Sequence, residues 1–237
     1  MKVIYRISDG GYKKQKPDYI TKIDCFENAL KHFQDFFIIQ DGELKDENIL
    51  FNMVRLAEKY NVKAERKVVN VGNGAGTFNL ALDYALTLDD NEIVYFLEDD
   101  YLHRDGAKLA LEDAFNLPIG NLPIDYVTLY DHPDKYMNPI DGGNPFCEGF
   151  SEITRVYCGL FCHYKITNST TMTFAARVKT LKRDEAILRK WTNGTHPNDF
   201  EMFKDLGLSS KLVSTIPAYS THGETQWLSP IIKWENI

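Results

Sequence analysis

Apolar residues in the first half of the chain follow two alternating rhythms. Short runs apolar at odd and even positions alike are separated by longer stretches in which apolar residues return every three or four positions. The first rhythm suits strands buried on both faces, the second amphipathic helices. Residues 2–7 predict a first strand. Asp24 predicts a helix cap, with Glu27 three residues on in a capping-box arrangement and Phe26, Leu30, Phe33 and Phe37 at helical spacing. The run 37–40, ending at Asp41 and Gly42, predicts a second strand, and Asp46 or Glu47 opens a helix through Ile49, Met53, Leu56 and Tyr60. Residues 64–71 predict a third strand, followed by a turn from Gly72 to Asn79 with glycines at 72, 74 and 76 and then a helix over 80–88. A fourth run, Ile93, Val94, Tyr95, Phe96 and Leu97, leads straight into Glu98, Asp99 and Asp100.

A helix over 107–115 and a strand over 125–131 continue the series. Strand-then-helix units in succession predict a doubly wound α/β sheet with right-handed crossovers. From 132 to 150 the chain is rich in Pro, Gly, Asn and Asp and predicts a long loop, which in a compact domain more often serves a site than a scaffold. Residues 154–173 predict a strand pair turning at Thr167, Asn168 and Ser169. A helix over 179–191 follows, then Asn198 as the cap of a helix over 199–206 that Gly207 closes, and a strand over 211–216. The tail carries Ser220, Thr221, His222, Gly223 and Glu224, with Trp227 and Trp234 placed to dock it onto the body. No repeat, low-complexity tract or linker interrupts the pattern, so one domain over 1–237 is expected.

Composition changes this picture only at its edges. The 237 residues, 43% of them hydrophobic, suffice for a sizeable core. A formal net charge of -7 argues against a nucleic-acid or anionic-membrane binder, yet leaves room for a phosphate-bearing ligand held through a metal ion. The first strand turns polar at Ser8 and Asp9, too early for a signal peptide, and no apolar run is long enough to span a membrane, so a cytoplasmic protein is expected. Cys25, Cys147, Cys158 and Cys162 lack the paired spacing of a zinc site or disulfide framework.

The candidate chemistry gathers where the fourth strand ends. In open α/β sheets the carboxyl ends of strands bind ligands. Three adjacent carboxylates at a semi-buried strand end call for a cation or a positioned proton, whereas on spacing alone the same run also reads as a solvated acidic turn. The glycines of the third turn fall as G-x-G-x-G, so neither a dinucleotide fingerprint nor a P-loop is present, although such a turn lets backbone approach a ligand closely. Gly10, Gly11, Lys13, Lys14 and Lys16 read as a flexible, solvated loop.

Taken together, the order of elements, Asp41 and Gly42 after the second strand, the turn from Gly72 to Asn79, and the sequence Phe96, Leu97, Glu98, Asp99, Asp100 resemble the nucleotide-sugar-binding half of GT-A-fold glycosyltransferases. The chain is similar to family 2 of these enzymes and to the small glycosyltransferases of large DNA viruses and phages. The resemblance implies a mostly parallel sheet flanked by helices, with a Rossmann-like nucleotide-binding half over 1–105 and an acceptor half over 106–237. Glu98, Asp99 and Asp100 would be the E-D-D form of the acidic DXD motif. Asp100 would ligate a divalent metal, Mn²⁺ or Mg²⁺, that bridges a donor diphosphate, with His222 as a further ligand. Asp99 would lie near the ribose, and Glu98 would act in support. Asp41 matches the acid that contacts uracil or ribose, Asn73 and Asn79 line the nucleotide and donor sugar, and Arg6 and Ser8 match the edge of the base pocket, although this strand lacks the P-x-Y-N ending usual in family 2.

The implied activity is transfer of a sugar from a UDP-sugar to a carbohydrate acceptor. Inversion requires a carboxylate base near the acceptor hydroxyl. Asp199, in the first turn of a late helix, is the candidate and Glu201 its substitute. Residues 131–150 with Tyr157, Tyr164 and Trp191 are candidate acceptor surfaces. Two rivals share the general sheet: a sugar nucleotidyltransferase, which needs a glycine-rich basic loop after the first strand, and a non-catalytic carbohydrate-binding module.

Overall fold

The apolar runs of the first, second and fourth strands are buried on both sides, as their lack of alternation demands. The structure is a computed structural model and describes residues 1–10, 15–44, 47–117 and 123–237; Gly11, Lys13, Lys14 and Asp46 lie outside the described residues. In β1 (Lys2–Ser8), Val3, Tyr5 and Ile7 enter one apolar cluster and Ile4 another. In β4 (Ile93–Glu98), Tyr95 and Leu97 join the first, Val94 and Phe96 the second. Helices α1 (Lys22–His32), α2 (Glu47–Lys59) and α4 (Ala107–Ala114) contribute to the first cluster. The other face packs on α3 (Gly74–Ala85), α5 (Val178–Lys190) and α6 (Asp199–Leu206).

β2 (Asp35–Asp41) and β3 (Lys63–Val69) pair in parallel beside β1, and β4 pairs in parallel on its other side. The exposed edge, β3, carries Lys63, Glu65, Arg66 and Lys67, charges that discourage pairing with another chain. Beyond β4 the sheet becomes mixed. β11 (Phe174–Arg177) lies antiparallel between β4 and β6 (Tyr126–Thr128). β12 (Leu212–Ile216) runs parallel to β6, and β10 (His163–Ile166) and β9 (Val156–Cys158) close the far edge antiparallel. The order is β3-β2-β1-β4-β11-β6-β12-β10-β9, one sheet through both halves of the chain. Two small sheets stand apart: β5 (Tyr101–His103) with β13 (Ser220–His222), and β7 (Cys147–Glu148) with β8 (Ser151–Glu152).

Several boundaries differ from the sequence pattern, each for a local reason. Thr21, not Asp24, caps α1: its side chain accepts from the Asp24 backbone N–H at 3.1 Å. That helix ends before Phe33, and Phe37 belongs to β2. α3 begins inside the glycine turn because the Asn73 side chain accepts from Gly76 N–H at 2.8 Å and nucleates the helix there. The β9–β10 pair turns at 159–162, not 167–169; residues 167–173, the expected turn and second strand, form no strand, and the separate strand β11 begins only at Phe174. The long loop holds two short 3₁₀ turns, Pro133–Tyr136 and Pro139–Asp141. Trp234 is buried as expected, while Trp227 packs against the His132 ring at 5.1 Å. Among the described residues no helix is long and apolar enough to cross a membrane.

Candidate active site

β4 ends at Glu98, and Asp99 and Asp100 form the turn that starts β5. Antiparallel pairing of β13 with β5 sets His222 opposite Tyr101. That register carries His222 from the far end of the chain to the acidic turn, where its Nε2 stands 3.4 Å from Asp100 Oδ2. The next residue seals the contact, since Gly223 N–H donates to the Asp100 carbonyl at 2.6 Å. A Cβ on Gly223 would fall 2.7 Å from that oxygen and 2.6 Å from Ile20, so only glycine fits.

Each of the three acids faces a cation from the first strand-helix unit. Arg6 Nη2 lies 3.1 Å from Glu98 Oε1, Lys22 Nζ pairs with Asp99, and Lys16 Nζ lies 3.3 Å from Asp100 Oδ2. Arg6 is buried and also donates to the carbonyls of Gly74 and Met172, at 3.2 and 3.3 Å. Thr173 Oγ1 donates to Glu98 at 3.4 Å from the segment entering β11. Ser8 N–H donates to Asp99 Oδ2 at 3.2 Å. Burial pushes the Asp99 carboxyl above its usual range, with Lys22 acting against the shift and the Asp100 charge adding to it.

Three of the residues that the resemblance matches to a donor, Asp41, Asn73 and Asn79, are tied into the turns around them. Asp41 accepts from the N–H groups of Val71 at 2.7 Å and Gly72 at 2.8 Å, which fixes the entry to the glycine turn. Asn73 is spent on the α3 cap. Asn79 donates to the Thr192 carbonyl at 2.8 Å and accepts from its hydroxyl at 3.0 Å, and Ala75 N–H donates to Thr195 O at 3.3 Å. The loop before α6 thus takes up the Ala75 N–H, while Gly72 and Gly74 at the start of α3 stay exposed.

Asp199, half-buried in the first turn of α6, faces the same region from the other side. Burial pushes its carboxyl up to about 6, its bond from the Phe200 N–H opposes this, and the charges of Glu98 and Asp134 raise it further. Asp134 is held by His132, whose Nδ1 lies 2.9 Å from Oδ1, and by Asn144 at 3.4 Å. Phe146 stacks on Phe200 with centroids 6.1 Å apart. Glu201 instead pairs with Lys204 at 3.1 Å. The other aromatic candidates serve the scaffold: Tyr164 is buried and donates to Ala110 O and Asp113, and Trp191 Nε1–H donates to Asp205.

Asp100 and His222 offer one carboxylate and one imidazole at the same point. Among the described residues no cluster of three His, Cys, Asp or Glu side chains converges on a metal position. Two protein donors do not make a closed zinc site, but they suit an ion that fills its remaining positions with phosphate oxygens and water. The residue types and their contact thus fit Mn²⁺ or Mg²⁺.

Lys22 and the Asp134–His132 pair were not singled out by sequence. A signal existed for Lys22: a cation in the first helical turn opposes the helix dipole unless a carboxylate answers it. Lys16 reads in the sequence as part of a solvated loop, and its contact with Asp100 depends on where the loop folds.

No protein-family model and no curated protein sequence matches the chain. Solved structures do. GalNAc-T7 with UDP, GalNAc and Mn²⁺ superposes with a TM-score of 0.54 at 11% identity, covering 98% of this chain and 45% of that one. S. aureus TarS 1-349 gives a TM-score of 0.50 at 15% identity, covering 93% of this chain and 60% of that one. This chain therefore spans less than two thirds of either neighbour. With its sheet flanked by helices on both faces, it has the GT-A fold.

Proposed function

We propose that this chain is a metal-dependent glycosyltransferase that moves a sugar from a UDP-sugar to a carbohydrate acceptor with inversion. The observation that carries the reading is the meeting of Asp100 and His222, from opposite halves of the chain, at the carboxyl end of a buried parallel strand. The Mn²⁺ and UDP that accompany GalNAc-T7, a structural neighbour, supply the choice of ion and donor class. Asp100 Oδ2 and His222 Nε2 would hold Mn²⁺ or Mg²⁺. Such an ion, when bound, neutralises the charge that develops on a diphosphate leaving group.

The protein's own residues do the rest. Asp99, fixed by Ser8 N–H and Lys22, borders the ribose. Arg6 locks Glu98 behind the motif. Asp41, Asn73 and Asn79 shape the donor pocket through the turns they tie down. Asp199 accepts the proton of the attacking acceptor hydroxyl, whose oxygen bonds to the anomeric carbon as the diphosphate leaves on the opposite face. A carboxyl pushed up to about 6 is still ionised at neutral pH and is a stronger base than an exposed aspartate. Asp134, His132, Phe146 and Phe200 form the acceptor side.

The test is a panel of UDP-sugars with Mn²⁺ and oligosaccharide acceptors, read as UDP release and glycan mass. Acceptor-dependent UDP release that disappears in Asp100→Ala supports the reading. Pyrophosphate released from UTP and a sugar 1-phosphate would replace it with nucleotidyl transfer.

A further inference from the structure

Arg6, Lys22 and Lys16 answer the three acids in chain order, but they are not equivalent. Arg6 is buried and fastened to two backbone carbonyls, and Lys22 is built into the first turn of α1. Lys16 lies on the loop between β1 and α1, with its side chain 28% exposed, and its ammonium contacts Asp100 Oδ2, the same oxygen that His222 approaches. Its neighbour Gln15 accepts from the Thr225 N–H at 2.8 Å and the Thr225 hydroxyl at 3.0 Å. The loop bearing Lys16 and the tail bearing His222 are thereby fastened to each other. One cation and one imidazole are thus delivered together to one carboxylate oxygen.

We propose that Lys16 is an exchangeable counter-ion for Asp100: it pairs with the carboxylate and turns to the diphosphate when a divalent cation and nucleotide bind together. The inference rests on the metal-dependent reading of this site. Its physical basis is charge balance. A divalent cation on Asp100 Oδ2 and His222 would be repelled by an ammonium beside the same oxygen, so the ion alone binds weakly. A diphosphate removes that repulsion by giving the ammonium a new anionic partner, so ion and nucleotide strengthen each other's binding. This coupling is reciprocal by linkage. Lys16 is then a positioning residue that makes the ion's binding depend on the nucleotide.

The experiment is calorimetric titration of Mn²⁺ alone, UDP alone, and Mn²⁺ at saturating UDP, for the full chain and for Lys16→Met and Lys16→Arg. Circular dichroism checks that each variant is folded. In the unaltered chain, saturating UDP should tighten Mn²⁺ binding at least about tenfold. Lys16→Met should bind Mn²⁺ alone about fivefold more tightly, bind UDP with Mn²⁺ more weakly, and lose most of the coupling, while Lys16→Arg keeps it. Unchanged or weaker Mn²⁺ binding by Lys16→Met, with normal binding of Mn²⁺ and UDP by the unaltered chain, overturns the role of Lys16 alone. Failure of the unaltered chain to bind UDP with Mn²⁺ overturns both this inference and the reading of the site.

Discussion

Two of the charge groups among the described residues are built in opposite ways. In the C-terminal half Lys135 and Lys165 are only 1 and 2% exposed. Lys165 Nζ sits 2.8 Å from Asp131 and 3.3 Å from Glu152, and Lys135 donates to Ser169 at 2.7 Å and to Asn168. Burial alone would lower the Lys165 ammonium, yet Asp131 and Glu152 hold it above the usual range; burial prevails at Lys135, which is lowered. Fixed neutral partners such as Asn144 and Asn168 complete the group and anchor the long loop to the strands. At the end of β4, by contrast, two acids meet lysines whose side chains are 24 and 28% exposed, and a histidine arrives on a tail strand. A closed network fixes a shape, whereas an open one can exchange a partner for a ligand.

The comparison breaks most visibly at Asp100. Asp100→Ala should lower transfer by at least on the order of a thousandfold while circular dichroism and melting stay close to those of the unaltered protein. Near-full activity with Mn²⁺ present would place the acid in the structural class. Asp199→Asn should cost about 10²–10⁴ in kcat and leave UDP affinity unchanged. The sign of its pH dependence follows from the raised carboxyl: the base works only when ionised, so kcat/KM should fall about tenfold per pH unit below about 6, and the variant should show no such limb. A parallel loss of UDP binding would make Asp199 part of the scaffold.

The closed group should respond in the reverse sense. Lys165→Met removes the buried cation nearest to Asp131 and Glu152 and should destabilise the fold by about 3–5 kcal/mol in urea unfolding. UDP binding by the folded fraction should not change; weaker UDP binding at full stability would contradict the division. The smallest effect belongs to the α3 cap. Asn73→Ala should cost about 1 kcal/mol by the same measurement, with a modest loss of UDP affinity because the turn held by Asp41 loosens.

The sequence pattern reaches the parallel half of the fold more surely than the rest. β1, β2 and β4 are apolar on both faces, and that local signal survives folding because helices cover both faces. β11 escapes it: Phe174, Ala175, Ala176 and Arg177 are short and weakly patterned, and their strand state comes from β4 and β6 on either side. At the site, the place of Glu98, Asp99 and Asp100 at a strand end is legible from the run before them. The contact of His222 with Asp100 is set by the β5–β13 register, a long-range pairing that no local window records. Asn79 carries another such long-range tie: Thr192 takes both ends of its amide, a contact that the glycine-rich turn before it does not announce.

The most direct test of the central claim is calorimetric UDP binding with and without Mn²⁺, in the unaltered chain and in His222→Ala. Expected are tight binding only with Mn²⁺ in the unaltered chain and a loss of that metal dependence in the variant. UDP binding that ignores Mn²⁺ in both proteins, or no UDP binding in either, would contradict a nucleotide site built on Asp100 and His222.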